Sequence, residues 1–257
     1  MSAYAPDFVI QRIYSKSLSK FIVPRSTPIP FFGNFNSASV YTIGINPSHQ
    51  EFLSGLDQLL PANKKRLEDF DSLGIASIEE DNFLDEEQAN RIFSSCIQYF
   101  QNNPYEWFNS IETTVNLPLN TSYFDGSACH LDLIQWATNP VWSGILKEDS
   151  RDAKYLLESD LPFLSQQIQW IKSNNQNLKC FVLSGKTVVQ SLQELFDLRL
   201  SSRTKARAKV RQYSLYVGSF QGTPVYGTSM NIPDAYTSSS HREFFSDWLA
   251  QNEAKVL

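Results

Sequence analysis

Three runs of apolar residues in this sequence lead into polar side chains that could carry chemistry. Asn46 follows the run Val40–Ile43, Asp132 lies within residues 128–135, and Asn231 follows a β-rich run that ends near Gly227. The amide of an asparagine both donates and accepts hydrogen bonds, whereas a carboxylate only accepts them. Loops that leave the carboxyl ends of parallel strands are the usual ligand sites of α/β proteins. These segments are therefore candidate binding or catalytic elements.

The residues around these segments predict strands. Val40–Ile43 and Cys180–Leu183 are short apolar runs that break at Gly44 and Gly185, which is typical of buried strands. Residues 128–135 predict another buried strand. Residues 214–227 predict two β-rich runs around the turn Gln221-Gly222-Thr223-Pro224.

Helices are predicted between the strands. Their spacing of apolar residues covers much of 58–100, then 161–173, the segment after Gly185, and a last helix from His241 to near Asn252. Strands that alternate with helices predict a three-layer α/β/α fold around a short, mainly parallel central sheet. We expect one domain over 1–257, with residues 1–30 as an N-terminal extension.

Composition excludes several classes of protein. The chain has 257 residues, of which 42% are hydrophobic and 19% charged, so it is neither disordered nor fibrous. Cys96, Cys129 and Cys180 cannot all pair and form no C-x-x-C, which disfavours a secreted disulfide framework and a zinc ribbon. The first 20 residues lack the apolar core of a signal peptide, and no run approaches the about 18 apolar residues of a membrane span. We expect a cytoplasmic protein that is not bound to membranes.

Positive charge is concentrated in one segment. The formal net charge is −5, but residues 199–211 hold six of the 22 basic residues and no acid, which leaves 16 basic and 27 acidic residues elsewhere. Five of the six fall at every second position, at Arg203, Lys205, Arg207, Lys209 and Arg211. This pattern predicts a basic ribbon, within 203–227, that contacts phosphates. The alternative is a solvated strand face.

The polar segments together resemble a known superfamily. Gly44-Ile45-Asn46-Pro47-Ser48, Asn231-Ile232-Pro233 and Ser238–Phe245 are similar to motifs of the uracil-DNA glycosylases. The first motif of that superfamily is G-(I/M/Q)-(N/D)-P-x after the first strand, and the second is (H/N)-P-S-x-x-S near the C-terminus. Residues 181–187 look like its strand-glycine-helix unit, and 130–136 lie where its base-reading strand should be. Asparagine in both motifs most resembles the mismatch-specific branch.

The resemblance implies hydrolysis of the N-glycosidic bond of a base that is flipped out of DNA. It implies that Asn46 orients the attacking water, that Asn231 donates to the departing base, and that His241 assists them. No metal or organic cofactor is implied, and we expect a monomer that binds single- or double-stranded DNA. The implied base pocket consists of Gly44, Ile45, Pro47, Ser48, Phe52, Asp132 and Trp136. The implied phosphate contacts come from Ser184, Lys186 and the basic ribbon.

The sequence also departs from the family pattern. Asn46 stands where other branches carry an aspartate, and an amide cannot remove a proton from water at neutral pH. The second motif lacks the Pro-Ser pair, and an ungapped alignment through His241 would place Asp234 rather than Asn231 in it. Asp132 stands where many relatives read uracil with asparagine. A carboxylate there suits a base with adjacent N–H donors better than uracil.

Ordinary structural roles remain open for several of these residues. Residues 44–47 could form a simple turn, Phe52 could pack under the next helix, Trp136 could be core, and His241 could cap its helix. Gly185-Lys186-Thr187 lacks the first glycine of a phosphate-binding loop, which excludes that motif. Two other functions remain: a catalytically silent protein that binds nucleic acid or a nucleotide on the same fold, and an unrelated small-molecule hydrolase.

Overall fold

The computed structural model describes residues 5–55, 57–75, 84–205, 212–234 and 237–253. Within these ranges it has seven α-helices: α1 (Asp7–Ile13), α2 (Glu86–Ile97), α3 (Phe108–Ile111), α4 (Trp142–Glu148), α5 (Ser150–Asn174), α6 (Lys186–Leu192) and α7 (Ser239–Glu253). The strands are β1 (Phe32–Gly33), β2 (Val40–Gly44), β3 (Ala128–Asp132), β4 (Cys180–Ser184), β5 (Arg199–Lys205), β6 (Gln212–Phe220) and β7 (Thr223–Thr228). The protein is therefore of the α/β class.

The described strands form one mixed sheet in the order β1-β3-β2-β4-β7-β6-β5. Strands β2, β4 and β7 pair in parallel, whereas β7, β6 and β5 pair in antiparallel fashion. Every residue of β2, β3 and β4 is buried, which fits the mostly apolar sequences of β2 and β4, whereas β3 also buries His130 and Asp132. The sheet is thus partly parallel, with an antiparallel arm at one edge.

The hairpin and the strand-glycine-helix unit are confirmed. Gln221 and Gly222 both have positive φ, 48° and 83°, as a two-residue turn between β6 and β7 requires. Gly185 has a φ of 108° between β4 and α6, a conformation that disfavours any side chain. Local turn chemistry therefore fixes both connections.

Other boundaries differ from the sequence prediction. Strand β3 stops at Asp132 rather than Gln135, because Gln135 Nε2 donates to the carbonyls of Asp132 (2.7 Å) and Leu133 (3.0 Å) and closes a turn. Helix α5 begins at Ser150, eleven residues before its predicted start, and Asp149 Oδ1 accepts from the first amides. Within 58–75 the predicted helix is limited to the 3-10 turn Ala62–Lys64.

The chain divides into two compact units, each built from three segments. The first unit contains Met1–Asn36, Asn46–Tyr105 and Leu131–Ser173. The second contains Ser37–Ile45, Glu106–His130 and Asn174–Leu257. The six segments alternate along the sequence, so the chain passes between the units five times.

Each unit has its own buried aromatic residues. In the first unit the ring of Phe35 stacks on Phe31 and on Trp170, with centroids 4.9 and 5.2 Å apart. In the second unit Phe181 of β4 stacks on Phe196 at 5.6 Å, and α6 packs against β4 and β7. Aromatic packing of this kind adds to the burial of apolar area in both units.

Candidate functional site

The loop that follows β2 turns immediately into a short 3-10 helix. Gly44 ends the strand and is buried, Ile45 is half-buried, and Pro47 is buried. Ser48 Oγ accepts from the backbone N–H of Gln50 at 3.2 Å and caps the 3-10 turn His49–Glu51. A serine cap after a proline explains why the chain turns here rather than extending the strand.

The side chain of Asn46 is held in one orientation. Its Nδ2 donates to Pro47 O at 2.9 Å and to Thr138 Oγ1 at 2.8 Å. Thr138 Oγ1 in turn donates to Pro140 O at 3.1 Å, so it must accept from the amide. No hydrogen bond from the described residues reaches Asn46 Oδ1, and the side chain is only half-buried. The carbonyl oxygen can therefore accept from a water molecule or ligand.

Glu51, five residues after Asn46, has a carboxyl group that the sequence analysis did not single out. Glu51 is 2% exposed, and Tyr99 Oη donates to its Oε2 at 2.6 Å. Burial raises the pKa of Glu51 from 4.5 to about 7, although the bond from Tyr99 and the charge of Arg66 lower it. The negative charge of Asp132 raises it further. Glu51 thus titrates near neutral pH.

Asp132, the predicted base reader, is the last residue of β3 and is 3% exposed. It acts on Glu51 electrostatically within the first unit. Arg66 is the cation that acts on Glu51; its Nη1 donates to Gln50 O at 2.7 Å, and its guanidinium lies 5.4 Å from the ring centroid of Tyr105.

The predicted aromatic residues of the pocket are enclosed by protein. Phe52 is 2% exposed and Trp136 is 4% exposed. The guanidinium of Arg12 lies 5.5 Å from the centroid of the Trp136 ring. Trp136 Nε1 and His49 Nδ1 are buried atoms without a hydrogen-bond partner in the described residues. Both atoms are polar groups that a ligand could satisfy.

The second motif lies in the second unit, where β2, β4 and β7 end at one edge of the sheet because they run parallel. Ser184 Oγ accepts from the N–H of Ile232 at 3.1 Å, and Arg242 donates to Ile232 O at 2.9 Å and to Asp234 O at 3.0 Å. These bonds fix the loop after β7 and leave the side chain of Asn231 exposed. The buried Ser184 therefore holds the backbone of this loop in place through its hydrogen bond to Ile232.

His241 is buried in the first turn of α7. Its Nδ1 lies 2.6 Å from Ser238 Oγ, its ring packs edge-on against Tyr213 at 4.7 Å, and burial lowers its pKa. Its Nε2 is buried without a hydrogen-bond partner among the described residues. The neutral imidazole is the favoured form in this environment.

The basic ribbon is described only in part. Arg203 is exposed, and the backbone of β5 pairs with β6 as far as Lys205 opposite Gln212. Arg207, Lys209 and Arg211 lie outside the described residues. Lys186, at the start of α6, is exposed.

The structure adds Glu51, Tyr99, Arg66 and Thr138 to the residues that the sequence indicated. Glu51 and Tyr99 are 48 residues apart, so no local spacing connects them. Within the described ranges no group of three or more His, Cys, Asp or Glu side chains could hold a metal ion. None of the described helices has the length and apolar character needed to cross a bilayer.

Comparison with known proteins leaves the family open. No family model matches this chain, and no curated protein sequence matches it significantly. The likeness to uracil-DNA glycosylases therefore rests on the motif residues alone.

Proposed function

We propose that the protein is a DNA glycosylase of the uracil-DNA glycosylase type, which hydrolyses the N-glycosidic bond of a damaged or deaminated base flipped out of DNA. The proposal includes the three-layer α/β/α arrangement of that superfamily. It is supported above all by Asn46, whose amide nitrogen is fixed by two acceptors while its carbonyl oxygen is left to accept. A positioned acceptor of this kind can orient a water molecule toward C1′ of the flipped nucleotide.

The proposed reaction breaks one bond and forms another. The bond between C1′ and the base nitrogen breaks, and the base leaves with the electron pair. The water oxygen bonds to C1′, one water proton passes to solvent, and the products are the free base and an abasic site. Asn46 cannot accept the proton at neutral pH, so we expect a slow reaction or a good leaving base.

The test is a panel of oligonucleotides that carry uracil, hypoxanthine, xanthine or mismatched thymine, followed by detection of abasic sites. Asn46→Ala should lower single-turnover excision at least about tenfold, or roughly 1.4 kcal/mol of barrier, without changing DNA affinity. Asn46→Asp should raise the rate on any base that is cleaved, because a carboxylate stabilises positive charge on the sugar. Asn90→Ala, an exposed asparagine on α2, is the matched control.

The second candidate is a silent protein that binds nucleic acid on the same fold. It is favoured by the amide at position 46, by the missing Pro-Ser pair, and by the buried setting of His241. A wild-type protein that binds DNA but leaves the whole panel intact, together with inert Asn46→Asp and Asp132→Asn variants that fold, would establish this alternative. The roles of Asn231 and Phe52 stay predictions, tested by Asn231→Ala and Phe52→Leu in the same assay.

A further inference from the structure

A polar groove lies beside helix α2 in the first unit. It is bounded by residues 62–68, by α2 and by residues 98–103, and its volume of about 580 Å³ falls within the range of ligand sites. Three of the side chains that line it are cations, two are carboxylates, and most of the others are amides and hydroxyls. Cations, amides and hydroxyls are the groups that contact phosphate and sugar oxygens in nucleic acids.

Two cations of the polar groove share one carboxylate oxygen. Glu68 Oε2 accepts from Lys65 Nζ at 2.6 Å and from Arg91 Nη2 at 3.2 Å. The side chains of Lys65 and Arg91 are 26% and 42% exposed, against 17% for Glu68. One carboxylate thus neutralises only one of two neighbouring positive charges, and both cations reach solvent with N–H donors to spare.

The third cation, Arg66, connects the polar groove with the candidate site. Its Nη1 donates to Gln50 O at 2.7 Å, in the 3-10 turn His49–Glu51 that follows Asn46. Its Nε is a buried donor without a hydrogen-bond acceptor among the described residues. A ligand that contacts Arg66 from the groove therefore lies close to the turn that follows Asn46.

We propose that the polar groove holds the sugar-phosphate backbone of one DNA strand beside the flipped nucleotide, with Lys65, Arg66 and Arg91 as its phosphate contacts. This inference rests on the proposed function for the identity of the ligand, and it adds a second phosphate-binding element to the basic ribbon. None of the described residues that line the groove is aromatic, so the groove offers no ring on which a base can stack. We therefore expect contact with the backbone alone, independent of base sequence.

A purely structural role for these ion pairs makes a different prediction. Glu68 joins the segment 62–68 to Arg91 of α2, so the ion pairs could simply fasten the two together. Loss of charge at Lys65 and Arg91 would then lower stability and leave DNA affinity unchanged. Glu68→Gln separates the two roles, because it keeps an acceptor for the same donors and removes the negative charge that competes with phosphate. Only a phosphate site predicts tighter binding of DNA by this variant.

The test measures the Kd of single-stranded oligothymidylate by fluorescence anisotropy at several salt concentrations. The double variant Lys65→Gln/Arg91→Gln should raise the Kd at least about tenfold at low salt and lower the slope of log K against log salt by about 1.4, since each of two lost contacts contributes about 0.7. Glu68→Gln should lower the Kd at least about threefold. The matched control is Lys147→Gln/Lys154→Gln, which removes two exposed cations from other helices and should change neither quantity.

Two outcomes would overturn the proposal. The first is a Kd within about twofold of wild type for the folded double variant, with urea denaturation as the check on folding. The second is unchanged or weaker binding by Glu68→Gln. If the double variant does not fold, Glu68→Gln decides alone, together with the charge-conserving variant Lys65→Arg/Arg91→Lys, which should bind as wild type does.

A site for a free anion is excluded by competition. Inorganic phosphate, added at constant ionic strength, should not displace the oligothymidylate from the wild-type protein, because a strand makes several contacts at once. Displacement from the wild type but not from the double variant would overturn the proposal and make the groove a site for a small anion.

The position of the groove along the strand is tested with oligonucleotides that carry one deoxyuridine and one neutral methylphosphonate linkage. A neutral linkage next to the deoxyuridine should weaken binding by the wild type and have no further effect in the double variant, since the contact is already lost. Equal losses in the two proteins at every linkage would show that Lys65 and Arg91 do not contact the strand there, and would overturn the proposal.

These outcomes separate the inference from the proposed function. Excision of a base with DNA affinity unchanged in the double variant would leave the glycosylase proposal in place and remove the groove from it. The expected loss of DNA affinity, without excision of any base in the panel, would support the groove and remove the hydrolytic reaction.

Discussion

At the scale of single residues, Glu51 makes the stability of the protein depend on pH. Its pKa is about 7 in the folded protein against 4.5 ordinarily, so the folded state binds more protons between these values. The contribution of Glu51 to stability is therefore fully present below about pH 4.5 and is lost as the pH rises to about 7. Above about pH 7 it no longer changes with pH.

Glu51→Gln should remove this dependence. The free energy of unfolding of the variant, relative to wild type, should rise by up to about 3 kcal/mol between about pH 5 and about pH 8. Urea denaturation at several pH values measures it, with Glu106→Gln as the control. A difference between variant and wild type that stays constant with pH would contradict the expectation.

The hydroxyl of Thr138 accepts a hydrogen bond from Asn46 Nδ2 and so holds the Asn46 side chain in its orientation. A substitution that removes this hydroxyl therefore tests the role of that orientation. Thr138→Val deletes the acceptor of Asn46 Nδ2 and should cost about 1 kcal/mol of stability. If Asn46 orients water, excision should fall toward the level of Asn46→Ala, whereas Thr138→Ser should keep most of the activity. Equal single-turnover rates for the valine and serine variants would show that the amide does not need this partner.

At the scale of elements, the basic ribbon should carry the contact with phosphate. Replacing Arg203, Lys205, Arg207 and Lys209 by alanine should weaken DNA binding and lower the slope of log K against log salt. Each lost contact lowers it by roughly 0.9 for duplex or about 0.7 for a single strand. The matched control replaces four exposed cations elsewhere, Lys147, Arg151, Lys154 and Lys179. Equal slopes for the two quadruple variants would show that the basic ribbon is only a solvated face and does not contact phosphate.

Elements with strong local signals were predictable from the sequence. Strand β4, the glycine before α6 and the turn at Gln221-Gly222 are specified by residues adjacent in sequence, and the structure has all three. The start of α5 was not predictable, because the first half of this helix is rich in charged residues and Pro162 interrupts its helical spacing of apolar residues. The raised pKa of Glu51 was not predictable either, because it depends on burial and on the effects of Tyr99 and Asp132, which are distant in sequence.

At the scale of the whole molecule, the buried cysteines should be chemically inert. Cys96 and Cys180 are free and buried, and burial raises the pKa of each thiol to about 12. Since the thiolate is the nucleophile, alkylation of the folded protein should be slow and limited by opening of the structure. Mass spectrometry after treatment with iodoacetamide, with and without denaturant, checks this. Rapid labelling of Cys96 in buffer would contradict it.

The alternation of six chain segments between two units has a practical consequence for anyone who wants to divide this protein. Cutting between Tyr105 and Glu106 leaves residues 37–45 of the second unit on the first fragment and residues 131–173 of the first unit on the second. No continuous stretch of the sequence therefore contains one whole unit and nothing else, so neither unit can be expressed or transferred to another protein as a single segment. We expect each fragment alone to fail to fold. When the two fragments are mixed, we expect them to associate and fold together into the native structure.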